Sequence, residues 1–289
     1  MKNQASVDRH APAARSARWG RRGVVAALAA TAVVAGAAGA AGARFGFEVR
    51  GSGGGGAGAV LRCNGGMTRL SHVLFEGASV FPGDPIPTVE IVNAIDPDGF
   101  KLELVTTGTH TGTHLDAPGH FHDGGRTVDQ LEAEDLVWPA YVIDVRNRIA
   151  ADGPDDFQLT VDDVRRVERR QGRIPNGALV IIRTGFDTAF GTPAYDEPAP
   201  GFAGETVQWL FDERHIGGVG SDTYGPDATS DEDFSATDTA LGNDGIAMPG
   251  LNNLGSLNPT GDIVIAGVVP LKDGSGYQID PLACHSRKR

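Results

Sequence analysis

Between residues 140 and 183 the chain reads Ala140-Tyr-Val-Ile-Asp-Val145, then Thr160-Val-Asp-Asp-Val-Arg-Arg-Val-Glu-Arg-Arg-Gln171, then Ala178-Leu-Val-Ile-Ile-Arg183. The first and third runs are short, apolar and rich in β-branched residues, so each reads as a buried strand. The middle run predicts a helix over 160–171. Thr160 stands at its N-cap, and Asp162 and Asp163 lie in the first turn, where the helix dipole favours negative charge. The alternation continues outwards. Glu205 to Arg214 reads as a second helix, His215-Ile-Gly-Gly-Val-Gly220 leads into Ser221-Asp222, and Asp262 to Val269 reads as a late core strand. Continuous apolar runs separated by helices indicate a single α/β domain with a mixed sheet covered by helices and buried on both faces.

Upstream of this frame, four of the eight histidines fall in one short segment, His110-Thr-Gly-Thr-His114-Leu-Asp116-Ala-Pro-Gly-His120-Phe-His122. Imidazole is the commonest protein ligand for a divalent transition metal, and a nearby carboxylate is a natural further ligand. The segment is too rich in glycine and threonine for a helix. Leu104 to Thr107 is expected to run into it as a strand, so that His110, Gly112, His114 and Asp116 share one face. Ala117-Pro118-Gly119 then turns the chain and can return His120 over the same cavity. A solvated polar loop is the alternative, but histidines spaced by small residues and joined by a carboxylate favour a metal site with an adjacent acid/base group.

Composition bounds the rest. Residues 1–43 carry Lys2, Arg9, Arg15, Arg18, Arg21 and Arg22 against one acid, Asp8, followed by an uncharged Ala/Val/Gly stretch ending in Ala41-Gly42-Ala43. That pattern reads as a signal peptide with a small-residue cleavage site, and Arg21-Arg22 points to the twin-arginine (Tat) export route. An uncleaved membrane span is the alternative, disfavoured by the weak hydrophobicity of alanine and glycine. Residues 44–60, with the run Gly51-Ser-Gly-Gly-Gly-Gly-Ala-Gly58, read as a glycine-rich linker, and 61–289 as the catalytic domain. Removing the six bases and one acid of the signal from the chain's 25 and 37 leaves 19 against 36, a net charge of −17. So acidic an exported protein is a poor partner for nucleic acid or for an anionic membrane surface. Cys63 and Cys284 could tie the ends of the mature domain together by one disulfide, or remain as two buried thiols.

The segment His110-x-Gly112-Thr113-His114-x-Asp116-x-Pro118-x-His120 resembles the signature of the cyclase family, which includes bacterial kynurenine formamidases and isatin hydrolases. The likeness extends to Leu70-Ser71-His72, Phe81-Pro82-Gly83-Asp84-Pro85, Arg183-Thr184-Gly185-Phe186, Val219-Gly220-Ser221-Asp222-Thr223 and Pro270-Leu271-Lys272-Asp273-Gly274. It covers roughly residues 68 to 283. The resemblance implies a swivelling β/β/α-type domain, a homodimer or homotetramer, and a metal-dependent hydrolase that opens or cleaves an amide, whether cyclic amide, formamide or lactone. It implies His110, His114 and Asp116 as ligands to a divalent metal, Zn or Mn, and His120 as the acid/base residue that deprotonates water or protonates the leaving nitrogen. Phe81 is expected to wall a small-molecule substrate pocket, and Asp222 to contact substrate or cap a turn. One departure stands out. The family pattern carries a second pair of ligands, a histidine and a glutamate, at the positions of Thr237 and Pro249; proline cannot ligate a metal, and threonine rarely does. The expectation is therefore one metal per chain, with a non-hydrolytic cyclase, lyase or small-molecule-binding descendant as the alternative.

Overall fold

Ala140–Val145 and Ala178–Arg183, the two apolar runs around the helix, pair in parallel at the centre of the main sheet. The computed structural model describes residues 47–48, 60–61, 63–153 and 157–286. The expectations for a signal peptide in residues 1–43 and for the glycine run 51–58 fall outside these. Nine strands build the sheet: β1 (Met67–Arg69), β2 (His114–Asp116), β3 (Val137–Asp144), β4 (Leu179–Arg183), β5 (Gly218–Ser221), β6 (Ile246–Met248), β7 (Thr260–Ile265), β8 (Gly276–Gln278) and β9 (Leu282–Cys284). Their spatial order is β8-β2-β6-β5-β4-β3-β7-β9-β1. The block β3, β4, β5 and β6 is parallel, whereas β2, β8, β7, β9 and β1 join antiparallel. The sheet is mixed, as the apolar runs implied.

Strand residues alternate between two cores. Tyr141, Ile143, Val180 and Ile182 face one side, where Ile149 of α1 (Arg146–Asp152), Val164 and Val167 of α2 (Val161–Gln171) and Val207 and Leu210 of α3 (Gly204–Arg214) cover them. Ala140, Val142, Leu179 and Ile181 face the other side and meet Leu115, Met248, Leu251, Leu254 and Leu257. Helices thus close one face, while strand and loop side chains close much of the second. The predicted cap holds: Thr160 Oγ1 accepts from Asp163 N–H at 3.3 Å, and Asp163 accepts from Thr160 N–H at 3.2 Å. Among the described residues no helix is long and apolar enough to cross a membrane.

The strand leading into the histidine segment differs from expectation. Leu102–Thr106 pairs only with Thr88–Asn93, in a two-stranded ribbon outside the main sheet. The chain then turns through residues 109–113, with Gly112 at φ 68°, and becomes extended only at His114. An extended run from His110 to Asp116 is therefore corrected to a turn followed by a three-residue strand. The physical reason is local. Gly112 adopts the left-handed backbone that glycine alone enters without cost, and this redirects the chain.

Cys63 and Cys284 form a disulfide with Cα atoms 4.8 Å apart. The bond fastens the segment before edge strand β1 to its neighbour β9 and closes a loop of more than two hundred residues, which restricts the unfolded chain strongly. Cys63→Ser is expected to cost about 2–4 kcal/mol. For a domain of this size that is a fall in melting temperature of roughly 5–15 °C. Thermal unfolding with and without dithiothreitol checks this, and a variant melting within about 2 °C of the oxidised parent would refute it.

Candidate active site

The site grows from β2. His114 and Asp116 lie on one face of this strand, and Leu115 between them points into the second core, fully buried. Asp116 stands opposite Ala247 of β6 on one side and Gly276 of β8 on the other. The turn before the strand is clamped. Thr113 Oγ1 donates to Gly250 O at 2.5 Å and accepts from His72 N–H at 2.9 Å. Gly250, at φ 65°, lies so close that a Cβ there would sit 2.5 Å from Gly112 O. His110 is thereby brought back onto the strand that follows it.

Three imidazoles converge on one buried carboxylate. His110 Nδ1 lies 2.6 Å from Asp116 Oδ1, and His114 Nε2 lies 3.2 Å from the same oxygen. His120, at the end of the single turn Pro118–His120, stacks on His110 with ring centroids 3.7 Å apart. Donor atoms of His110, Asp116 and His120 all lie within 4.8 Å of one another, the only such trio of His, Cys, Asp or Glu among the described residues. The segment therefore brings together all four residues singled out from the sequence, but His120, expected as the acid/base group, rather than His114 completes the trio with His110 and Asp116.

Each ring is oriented from behind. His114 Nδ1 donates to Gly112 O at 2.8 Å, so a neutral His114 turns its lone pair on Nε2 towards Asp116. A protonated His114 fills this 3.2 Å contact with its own Nε2–H, and the neutral ring leaves the nitrogen and the carboxylate oxygen free to bind a cation together. On this observation the donor set fits a divalent metal. Burial opposes charge on His114, yet Asp116 and the Gly112 carbonyl lift its pKa above the ordinary histidine value. Burial likewise works against ionised Asp116, but the two histidines hold its pKa far below the usual carboxylate range. His120 is shifted down, chiefly by burial. His110 uses its second nitrogen, Nε2, to meet Ser275 Oγ at 2.9 Å. Ser275 was not among the residues singled out. Its only sequence signal was its place between two glycines in the closing segment.

The remaining expectations sort by position. Phe81 is about half exposed, and its ring meets Tyr224 at 6.1 Å and Phe234 at 5.9 Å between centroids. Phe234 in turn meets Phe121, the neighbour of His120. Asp222 is fully buried: Oδ1 accepts from Thr184 N–H and Oγ1 at 2.9 and 2.7 Å, and Oδ2 accepts from Gly185 N–H at 2.7 Å. These bonds describe the turn-anchoring reading of Asp222 rather than a group presented to a ligand. His122 points away from the trio, with Nε2 3.0 Å from Asp238 O. The divergent positions are also visible. Thr237 donates its N–H and hydroxyl to Asp227, and Pro249 O accepts from His114 N–H at 3.4 Å. His72 stacks on Phe190 at 4.0 Å, and burial pushes its pKa down to about 4, so it is neutral at physiological pH.

The cyclase family profile matches residues 68–228, more than half of the chain. The chain belongs to the cyclase family. An isatin hydrolase of Roseibium aggregatum is 33% identical over 216 residues, covering 68% of this chain and 81% of that protein. The solved isatin hydrolase A from Labrenzia aggregata, bound to benzyl benzoate, superposes with a TM-score of 0.69 at 31% identity and covers 75% of this chain and 92% of its own. A kynurenine formamidase of Bacillus cereus is 35% identical over 79 residues, 27% of this chain and 38% of that protein.

Proposed function

We propose that this cyclase-family protein is an amide-cleaving hydrolase that works with one divalent ion, Zn or Mn, held by His110, His114 and Asp116. The observation that carries the reading is the convergence of His110 and His114 on one oxygen of a buried carboxylate, with His114 Nε2 turned towards it. When bound, such an ion polarises the scissile carbonyl and lowers the pKa of water towards neutrality. The chain's own residues do the rest. Ser275 and the Gly112 carbonyl hold the two rings in register with Asp116. His120, stacked over His110, takes the proton from the attacking water and returns it to the leaving nitrogen. Phe81, Phe121, Tyr224 and Phe234 supply apolar ring faces for a small, aryl-bearing amide.

Several features support the wider setting. A disulfide joining the two ends of the domain suits an oxidising compartment, and so an exported protein. The ribbon 88–106 exposes Ile91, Val92, Leu102 and Leu104, the kind of apolar surface a homodimer or homotetramer covers.

The test combines metal analysis with one substitution. Purified protein should carry about one Zn or Mn per chain and open an aryl-fused cyclic amide. His120→Ala should lower turnover by roughly a hundred- to ten-thousand-fold while leaving the metal content unchanged. Loss of metal in that variant would make His120 a ligand instead, and full activity in metal-free protein would defeat the reading altogether.

A further inference from the structure

Among the described residues, five that are not glycine have a positive φ, and four of them are Asp, Asn or His, which enter that region readily. The fifth is Phe234, at φ 52° and ψ 41°. A bulky aromatic residue is costly in the left-handed conformation and persists there only when its surroundings impose it.

The imposing groups are two carboxylates. Phe234 caps α4 (Ser235–Gly242), and the first residues of that helix are tied down on both sides. Asp231 accepts from Ser235 N–H at 3.0 Å and from the Ser235 hydroxyl. Asp227 accepts from Ala236 N–H at 2.7 Å, from Thr237 N–H at 3.0 Å and from the Thr237 hydroxyl. Thr237 is the position at which the family pattern carries a metal-binding histidine. In this chain it pins a helix start instead.

The consequence lies in the ring cluster beside His120. With its backbone held, the Phe234 ring sits 5.9 Å from Phe81 and 6.3 Å from Phe121, both edge-on, and Phe121 is 4.9 Å from the His120 ring. All three phenylalanines are 38 to 42% exposed, so the cluster is a rim with ring faces left over rather than a sealed core. The three rings come from three separate segments, and Phe234 is the one that touches both others.

We propose that Phe234, pinned in a left-handed backbone by Asp227 and Asp231, is a specificity-determining residue that selects aryl-fused amides over aliphatic ones at the His110–Asp116–His120 centre. The proposal rests on the amide-hydrolase reading for its reaction, but its test does not. Calorimetry compares isatin, an aryl-fused five-membered cyclic amide, with succinimide, a five-membered imide ring without the arene, on the metal-loaded protein. Phe234→Gly should weaken isatin binding about tenfold and leave succinimide within about twofold, with Phe234→Leu in between. Where isatin is hydrolysed, the same variant should raise KM and leave kcat nearly unchanged. Phe234→Gly should also melt about 2–4 °C above Phe234→Ala, because both lose the ring but only glycine is at ease at this φ. An equal change for the two ligands, no change for either, or no isatin binding by the parent protein would overturn the proposal. Equal melting of the two variants would overturn its pinned-backbone half. Isatin binding without turnover would instead count against the hydrolase reading alone.

Discussion

Asp116→Asn is expected to empty the metal site and to lower turnover on the order of a thousandfold, the loss that several kcal/mol of charge stabilisation implies. Asp116 is the only carboxylate in the trio, and it is the common partner of His110 and His114. Asparagine keeps the size of the side chain but removes the negative charge that orients both rings. The fold should survive, since the backbone of Asp116 pairs with Ala247 and Gly276 irrespective of its side chain. Two measurements separate the effects. Metal analysis should fall from about one ion per chain to less than about a tenth. Added Zn or Mn should raise the melting temperature of the parent and not of the variant, because a ligand stabilises only the state that binds it. A variant that retains both metal and activity would remove Asp116 from the site.

Gly276→Ala is expected to disable the same centre from outside the motif. A Cβ at position 276 would lie 2.4 Å from His110 Cε1 and 2.6 Å from Leu115 O. Neither distance is tolerable, and Leu115 O belongs to strand β2, which cannot retreat easily. The pliable partner is the His110 ring, which must swing away from Asp116 and Ser275. Metal affinity and turnover should both fall by about a hundredfold or more, the scale seen when groups orienting a metal ligand are lost. Overpacking should also cost roughly 1–3 kcal/mol of stability. The double variant Gly276→Ala with His110→Ala removes the clashing ring. It should therefore melt above Gly276→Ala alone, though it stays inactive. If the single variant binds metal like the parent, residue 276 does not abut the site.

These two predictions show where the sequence was sufficient and where it was not. The carboxylate and its imidazoles were legible because spacing and residue type within one short segment carry the chemistry. The parallel pair β3 and β4 and the cap of α2 were legible for a similar reason, since apolar runs and Thr160 act locally. The extended path from His110 to His114 was misread. A single positive φ at Gly112 reverses a chain whose neighbours all tolerate strand geometry. Ser275 and Gly276 were invisible because they approach His110 across 165 residues of chain. The burial of Asp222 beneath Thr184 and Gly185 is likewise a matter of adjacent strand ends.

By itself, then, the sequence determined the α/β class, the family resemblance and the identity of the four side chains that meet at the candidate site. All of these depend on residue type and on distances along the chain. Tertiary structure alone decided the choice between disulfide and thiols, the partner of each imidazole nitrogen, the anchoring of Asp222 and the pinned ring of Phe234. Those depend on which remote backbones meet, and that is set by sheet order and by packing at van der Waals distance.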